Sequence, residues 1–226
     1  MIFGLLGVLF LWPQLAASSD TAVTLPDGTV LQGSREADAN AFKGIRYAKP
    51  PLGALRWCPP VIYSYAEAGI PVVNATAFGS HCMQNTWPNG SEDCLFLNVF
   101  TGVNASVSEQ LLPVLIFIHG GSYISGSAKF YSGSDMVTFW EGEAVVVTVD
   151  YRLNVFGFLG SDALRSRDPA RSTGNYGLQD QRLAFEWVRR NIGKSVAFDF
   201  RKSLMACILL VHSCFWWRWK QNYYYG

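Results

Sequence analysis

Hydrophobic positions along the chain fall into a few blocks. Residues 113–118 and 144–149 are apolar almost without interruption, and 95–100 is a short apolar run broken only by Asn98. Continuous rather than alternating apolarity is the pattern of strands covered on both faces, as at the centre of an α/β sheet. Residues 29–33 follow the turn Pro26-Asp27-Gly28 and predict an early hairpin. Over 178–192 the period changes. Leu183 and Trp187 stand four apart, as do Ala184, Val188 and Ile192, which predicts a helix. Asn175 is placed to cap its start and Asp180 sits early in it. Arg189 and Arg190 lie toward its end, so both charges have the sign that the helix dipole favours. Strands alternating with a helix, without internal repeats, predict one α/β domain.

The two ends break this pattern. Residues 2–12 are almost wholly apolar and lead through Pro13 into the small residues Ala16-Ala17-Ser18-Ser19. This is the layout of a secretory signal peptide over 1–19, too short for a membrane span. The coherent domain pattern occupies 20–192, and 193–226 is a divergent tail. Residues 201–226 hold four basic side chains (Arg201, Lys202, Arg218, Lys220) and no acidic one, with the aromatic runs Phe215-Trp216-Trp217 and Tyr223-Tyr224-Tyr225. The apolar stretch 204–211 is well short of the roughly 20 residues a span requires. A helix lying on a membrane surface is one reading of this aromatic and basic mixture. A break in frame or splicing near residue 193 is the favoured one.

Composition excludes more than it identifies. Of 226 residues 50% are hydrophobic and 15% charged, which is unlike a disordered chain. A net charge of +1 leaves no basic footprint, so no nucleic-acid partner is expected. Three N-glycosylation sequons, at Asn74, Asn89 and Asn104, favour a secreted, extracellular protein. Cys82 and Cys94 close a short loop that an oxidising compartment favours as a disulfide. Five cysteines are odd in number, which leaves the fate of Cys58, Cys207 and Cys214 open.

The sharpest chemical motif is His119-Gly120-Gly121-Ser122-Tyr123, directly after an apolar strand. Two glycines there allow a tight turn whose backbone N–H groups converge on one cavity, where they stabilise a developing oxyanion. Four further blocks accompany it: 42–53 with Arg56-Trp57, Glu92-Asp93-Cys94-Leu95-Phe96-Leu97-Asn98-Val99, 150–159 and 174–181. In this order the five blocks resemble the type-B carboxylesterase and cholinesterase family over roughly 22–192. The resemblance implies the N-terminal portion of an α/β-hydrolase sheet, incomplete, with mostly parallel central strands and an antiparallel hairpin at the N-terminal edge. It implies a Cys82–Cys94 disulfide and structural ion pairs Arg56 with Glu92 and Arg152 with Asp180, both partly buried. It assigns the oxyanion hole to Gly120, Gly121 and Ser122, with the Gly121 and Ser122 N–H groups as donors. Ser122 stands where many members carry a third glycine. His119 belongs to the loop and is not a catalytic base. His81 and His212 are isolated, and no spacing indicates a metal. Trp87 and Tyr123 can line the pocket, though packing is the favoured role of each.

The family's reaction is ester hydrolysis through an acyl-enzyme, with no cofactor. A serine attacks, a histidine takes its proton and an acid orients the histidine. The serine is presented on a G-x-S-x-G turn between strand and helix. Here Gly193-Lys194-Ser195-Val196-Ala197 is only a near miss, with a helix end leading in and alanine in fifth place. Ser195 is therefore rejected as nucleophile, and no catalytic residue is assigned. The expectation is a truncated carboxylesterase-like protein, inactive as written, whose open sheet edge predicts poor solubility. A small carboxylic ester is its substrate only if the missing half is present. The alternatives are a non-catalytic binding or adhesion protein of the same family, or an incomplete gene model of an active secreted carboxylesterase.

Overall fold

The computed structural model describes residues 21–103, 105, 112–195, 209–210 and 213–214; the predicted signal peptide, Asn104, Cys207, His212 and most of the tail lie outside them. In chain order the strands are β1 (Ala22–Thr24), β2 (Val30–Gln32), β3 (Ser34–Glu36), β4 (Ala39–Arg46), β5 (Val72–Asn74), β6 (Phe96–Gly102), β7 (Val114–Ile118), β8 (Val145–Val149), β9 (Leu209–Leu210) and β10 (Ser213–Cys214). The helices are α1 (Gly133–Phe139), α2 (Asn154–Phe158), α3 (Asp162–Arg167) and α4 (Tyr176–Ser195).

A small sheet, β1-β2-β5, lies beside a larger one of order β10-β9-β7-β8-β6-β4-β3. The central strands β9, β7 and β8 are parallel, and β8, β6, β4 and β3 run antiparallel toward the N-terminal edge, where β3 and β4 form a hairpin. The expected hairpin around Pro26-Asp27-Gly28 forms as β1 against β2, closed by the Leu25 N–H donating to Thr29 O at 2.8 Å.

The continuous apolarity of β7 and β8 has a direct cause. Every residue of both strands is buried. Ile116, Ile118, Val147 and Val149 face a cluster that includes Ala184, Trp187, Val188 and Ile192 of α4. Leu115 and Val146, one step along each strand, face Phe100 and Val137 of α1 on the other side. Side chains alternate along a strand, so a strand covered on both faces must be apolar at every position. The β7–α1–β8 crossover thus brings the C-terminal ends of both strands to one edge of the sheet, where His119 and Asp150 follow them.

Three local expectations change. Asn175 sits directly before α4 with its carbonyl accepting from the Gln179 N–H at 3.0 Å, but its φ of +57° is left-handed rather than the extended backbone typical of an N-cap. Asp180 does not serve the helix dipole; it is fully buried and accepts from Arg152. The helix also runs on to Ser195, so Arg190 stands more than a turn before its end and pairs with Glu186. Two short strands of the 193–226 segment, β9 and β10, join the large sheet, with Leu209 and Leu210 in register with Phe117 and Ile118.

Candidate active site

The site begins where β7 stops. The chain turns sharply through 119–126, with the Ile124 and Ser125 N–H groups both donating to Gly121 O, at 3.0 and 3.1 Å. Gly121 has φ +116°, and a Cβ there would sit 2.0 Å from Ser125 O, so only glycine fits. Ser122 and Tyr123 follow at φ +53° and +63°, a pair of non-glycine residues in left-handed backbone. Such conformations cost about 1 kcal/mol or more each and persist where their surroundings impose them. Gly121 and Ser122 are exposed, and neither N–H has an acceptor among the described residues. The turn therefore offers two adjacent unpaired donors at an open surface, the requirement for stabilising negative charge on a reacting oxygen.

Beneath the turn is a buried polar layer. His119 is 1% exposed, with its imidazole in the core and not at the open face. Its Nδ1 lies 2.9 Å from Gly120 O, its ring stacks on Tyr151 at 4.6 Å, and the Tyr151 hydroxyl donates to His119 O at 3.0 Å. Asp150 Oδ1 accepts from the Ala128 N–H at 2.9 Å and faces His119 Nε2 at 3.8 Å. The Tyr47 hydroxyl donates to Asp150 O at 2.8 Å. Burial pushes the Asp150 carboxyl up to about 7, against the opposing pull of the Ala128 and Ser127 hydrogen bonds and the Lys129 charge. Burial pulls His119 down. It raises the Tyr47 and Tyr151 hydroxyls, so both stay neutral donors.

Several fasteners hold the turn against the rest of the fold. Cys82 and Cys94 form a disulfide. From the loop it closes, Gln84 reaches Gly126 twice: its Nε2 donates to Gly126 O, and the Gly126 N–H donates to its Oε1, both at 2.8 Å. Asn154 Nδ2 donates to Met83 O at 3.1 Å and to Ile124 O at 3.3 Å. Arg152 donates to Asp180 through Nε at 2.8 Å, Nη2 at 2.7 Å and its own backbone N–H at 3.0 Å, and Nη1 reaches Cys58 O at 3.0 Å. Arg56 pairs with Glu92 through two contacts of 2.5 Å, but its side chain is 39% exposed. Both expected pairs form: Arg56 with Glu92 is partly buried and more open to solvent screening, and Arg152 with Asp180 is more deeply buried than expected.

Sequence reasoning missed Gln84, Asp150 and Gly126. It also missed Arg46, which grips both carboxylate oxygens of Asp93. The one signal for Asp150 was its place directly after a buried parallel strand, the end of a sheet where sites collect. Trp87 and Tyr123 are each 43% exposed and meet Phe130 and Phe158 respectively in tilted ring contacts. His81 is buried, with Nδ1 2.9 Å from Lys129 Nζ. Asn74 is exposed and its Oδ1 accepts from the Thr76 hydroxyl at 2.8 Å; Asn89 is exposed at φ +67°. Among the described residues no cluster of His, Cys, Asp or Glu could hold a metal, and no helix is long and apolar enough to cross a membrane.

Comparison with known proteins places this geometry. The profile of the carboxylesterase family matches residues 19–195. The para-nitrobenzyl esterase of Bacillus subtilis is 41% identical over 181 residues, covering 75% of this chain and 34% of the relative. The cocaine esterase of Oryctolagus cuniculus is 39% identical over 172 residues, covering 70% and 30%. Among solved structures, the carboxylesterase EST55 of Geobacillus stearothermophilus superposes with a TM-score of 0.68 at 35% identity, covering 84% of this chain and 37% of that one. A PNB esterase gives a TM-score of 0.64 at 38% identity, covering 76% and 34%. The chain spans about a third of the length of the curated relatives it matches. With a matching profile over most of its length and an α/β-hydrolase arrangement of strands, the chain belongs to the carboxylesterase family.

Proposed function

We propose that this chain supplies the oxyanion side of a carboxylic-ester hydrolase site and that the 226-residue polypeptide alone does not turn over esters. The observation that carries the first half is the turn at Gly120, Gly121 and Ser122, with two unpaired N–H groups at an open face. In acyl transfer such donors bind the carbonyl oxygen as it gains charge, and removing one typically costs 10²–10³ in kcat. The second half is supported by the sequence, in which no G-x-S-x-G occurs and Ser195 sits at the end of a helix rather than after a strand. Where the missing half is supplied, the substrate class is the small carboxylic ester, and the chemistry needs no cofactor. Secretion and N-glycosylation belong to the same proposal, supported by the exposed sequons at Asn74 and Asn89 and by the disulfide.

Labelling with a serine-directed fluorophosphonate tests this directly. The expected result is no saturable adduct on the purified chain. An adduct mapped to Ser195, lost in Ser195→Ala, would overturn the proposal.

A further inference from the structure

The buried layer under the oxyanion turn contains a proton problem. His119 Nδ1 is 2.9 Å from the Gly120 carbonyl oxygen. A carbonyl oxygen only accepts, so Nδ1 carries the proton of that bond. The other ring nitrogen, Nε2, is buried, has no hydrogen-bond partner and faces Asp150 Oδ1 at 3.8 Å. In a neutral imidazole protonated at Nδ1, Nε2 is a lone pair. A lone pair facing a carboxylate in a dry interior sets two acceptors against each other, which burial penalises. One additional proton between them removes the conflict.

We propose that Asp150 is a positioning residue for the oxyanion turn, and that the proton it shares with His119 preserves the His119–Gly120 hydrogen bond and, through it, the direction of the Gly121 N–H. The coupling is a property of the peptide unit. The Gly120 carbonyl and the Gly121 N–H belong to one planar trans group and point to opposite sides. Holding the carbonyl on His119 turns the N–H toward the open face. When the shared proton leaves, His119 moves its remaining proton to Nε2, toward the carboxylate, and the Gly120 carbonyl loses its donor.

Gly126 makes this contact possible. A Cβ there would lie 2.3 Å from His119 Nδ1 and 2.5 Å from Gly120 O. Charged and titratable groups surround the pair from every packed element. Tyr47 of β4 donates to the Asp150 carbonyl, Lys129 acts on the carboxyl through its charge, and Tyr151 covers the imidazole. His81 meets Lys129. The Arg152–Asp180 pair acts on Tyr47 with opposing signs. Desolvation dominates at both Asp150 and His119, so the shared proton resides on Asp150 below about pH 7 and leaves above it.

The inference rests on reading the turn as an oxyanion site, and its test needs neither ester nor nucleophile. The full chain, labelled with ¹⁵N, is followed by NMR from about pH 5 to about pH 9, a range that brackets the free imidazole value. The Gly121 and Ser122 amides and the His119 ring nitrogens are observed. The expected result is an Nδ1-protonated tautomer at low pH and a one-proton transition near pH 7 at both amides. In Asp150→Asn the carboxylate is gone while an amide oxygen remains to accept from Ala128, so nothing draws the His119 proton to Nε2 and the amides stay at their low-pH positions throughout. Asp150→Ala likewise removes the carboxylate that draws the proton to Nε2, so its amides also hold their low-pH positions at every pH; should it not fold, the Asn variant alone decides. Amides that do not move in the parent chain, or that titrate equally in Asp150→Asn, overturn the proposal. Absence of ester turnover leaves it intact, and an unmoved turn defeats it even where fluorophosphonate labelling succeeds.

Discussion

Arg152 is 3% exposed and Asp180 is fully buried, and Arg152 donates to the Asp180 carboxylate through Nε, Nη2 and its backbone N–H. Removing one partner from such a pair leaves an uncompensated charge in the interior. Asp180→Ala should therefore lower stability by about 3–5 kcal/mol in urea denaturation. Glu92→Gln breaks a pair whose arginine is open to solvent and should barely move the midpoint. At Asp150 the sign of the pH effect can be worked out. The folded carboxyl titrates at about 7, above the roughly 3.9 of an unfolded aspartate. Between these values the folded state holds a proton that the unfolded state has released. Stability contributed by this group is therefore fully present below about pH 4 and is lost as pH rises through about 7. Asp150→Asn should abolish that decline in melting curves taken across this range. Gly126→Ala, forced into the His119–Gly120 contact at φ +115°, should destabilise the chain by several kcal/mol and displace the Gly121 amide.

Elements were legible where one physical cause acted over several residues. Strands β7 and β8 could be read because both their faces are covered, which makes each position apolar. The body of α4 could be read because Ala184, Val188 and Ile192 repeat at helical spacing against that core. Its ends could not. Asn175 looks like a cap by type, yet its left-handed backbone places it outside the helix, and Asp180 is claimed by a residue 28 positions away. The oxyanion turn was visible as a local motif, but its supports were not. Gln84 reaches Gly126 across 42 positions, and Asp150 acquires its character from burial, which no local pattern encodes. The disulfide and Gln84 act together on this turn. Reducing Cys82–Cys94, or replacing both with serine, should cost about 2–4 kcal/mol by the loop-closure argument and loosen the 119–126 turn in hydrogen exchange.

At the scale of the whole molecule, one face of the large sheet is closed by α4 and the other by α1, and the parallel strands deliver the oxyanion turn to their C-terminal edge. The described residues superpose on carboxylesterases two to three times longer, and the chain covers about a third of them. In the proposed reading, the electrostatic half of an acyl-transfer site is what β7, β8 and the disulfide loop would supply. No G-x-S-x-G turn occurs in the 226 residues. Hydrolysis of a short-chain aryl ester by the purified chain tests this division most directly. A rate indistinguishable from buffer, with the turn intact by NMR, is the predicted result. Saturable turnover that disappears in Ser195→Ala would contradict it.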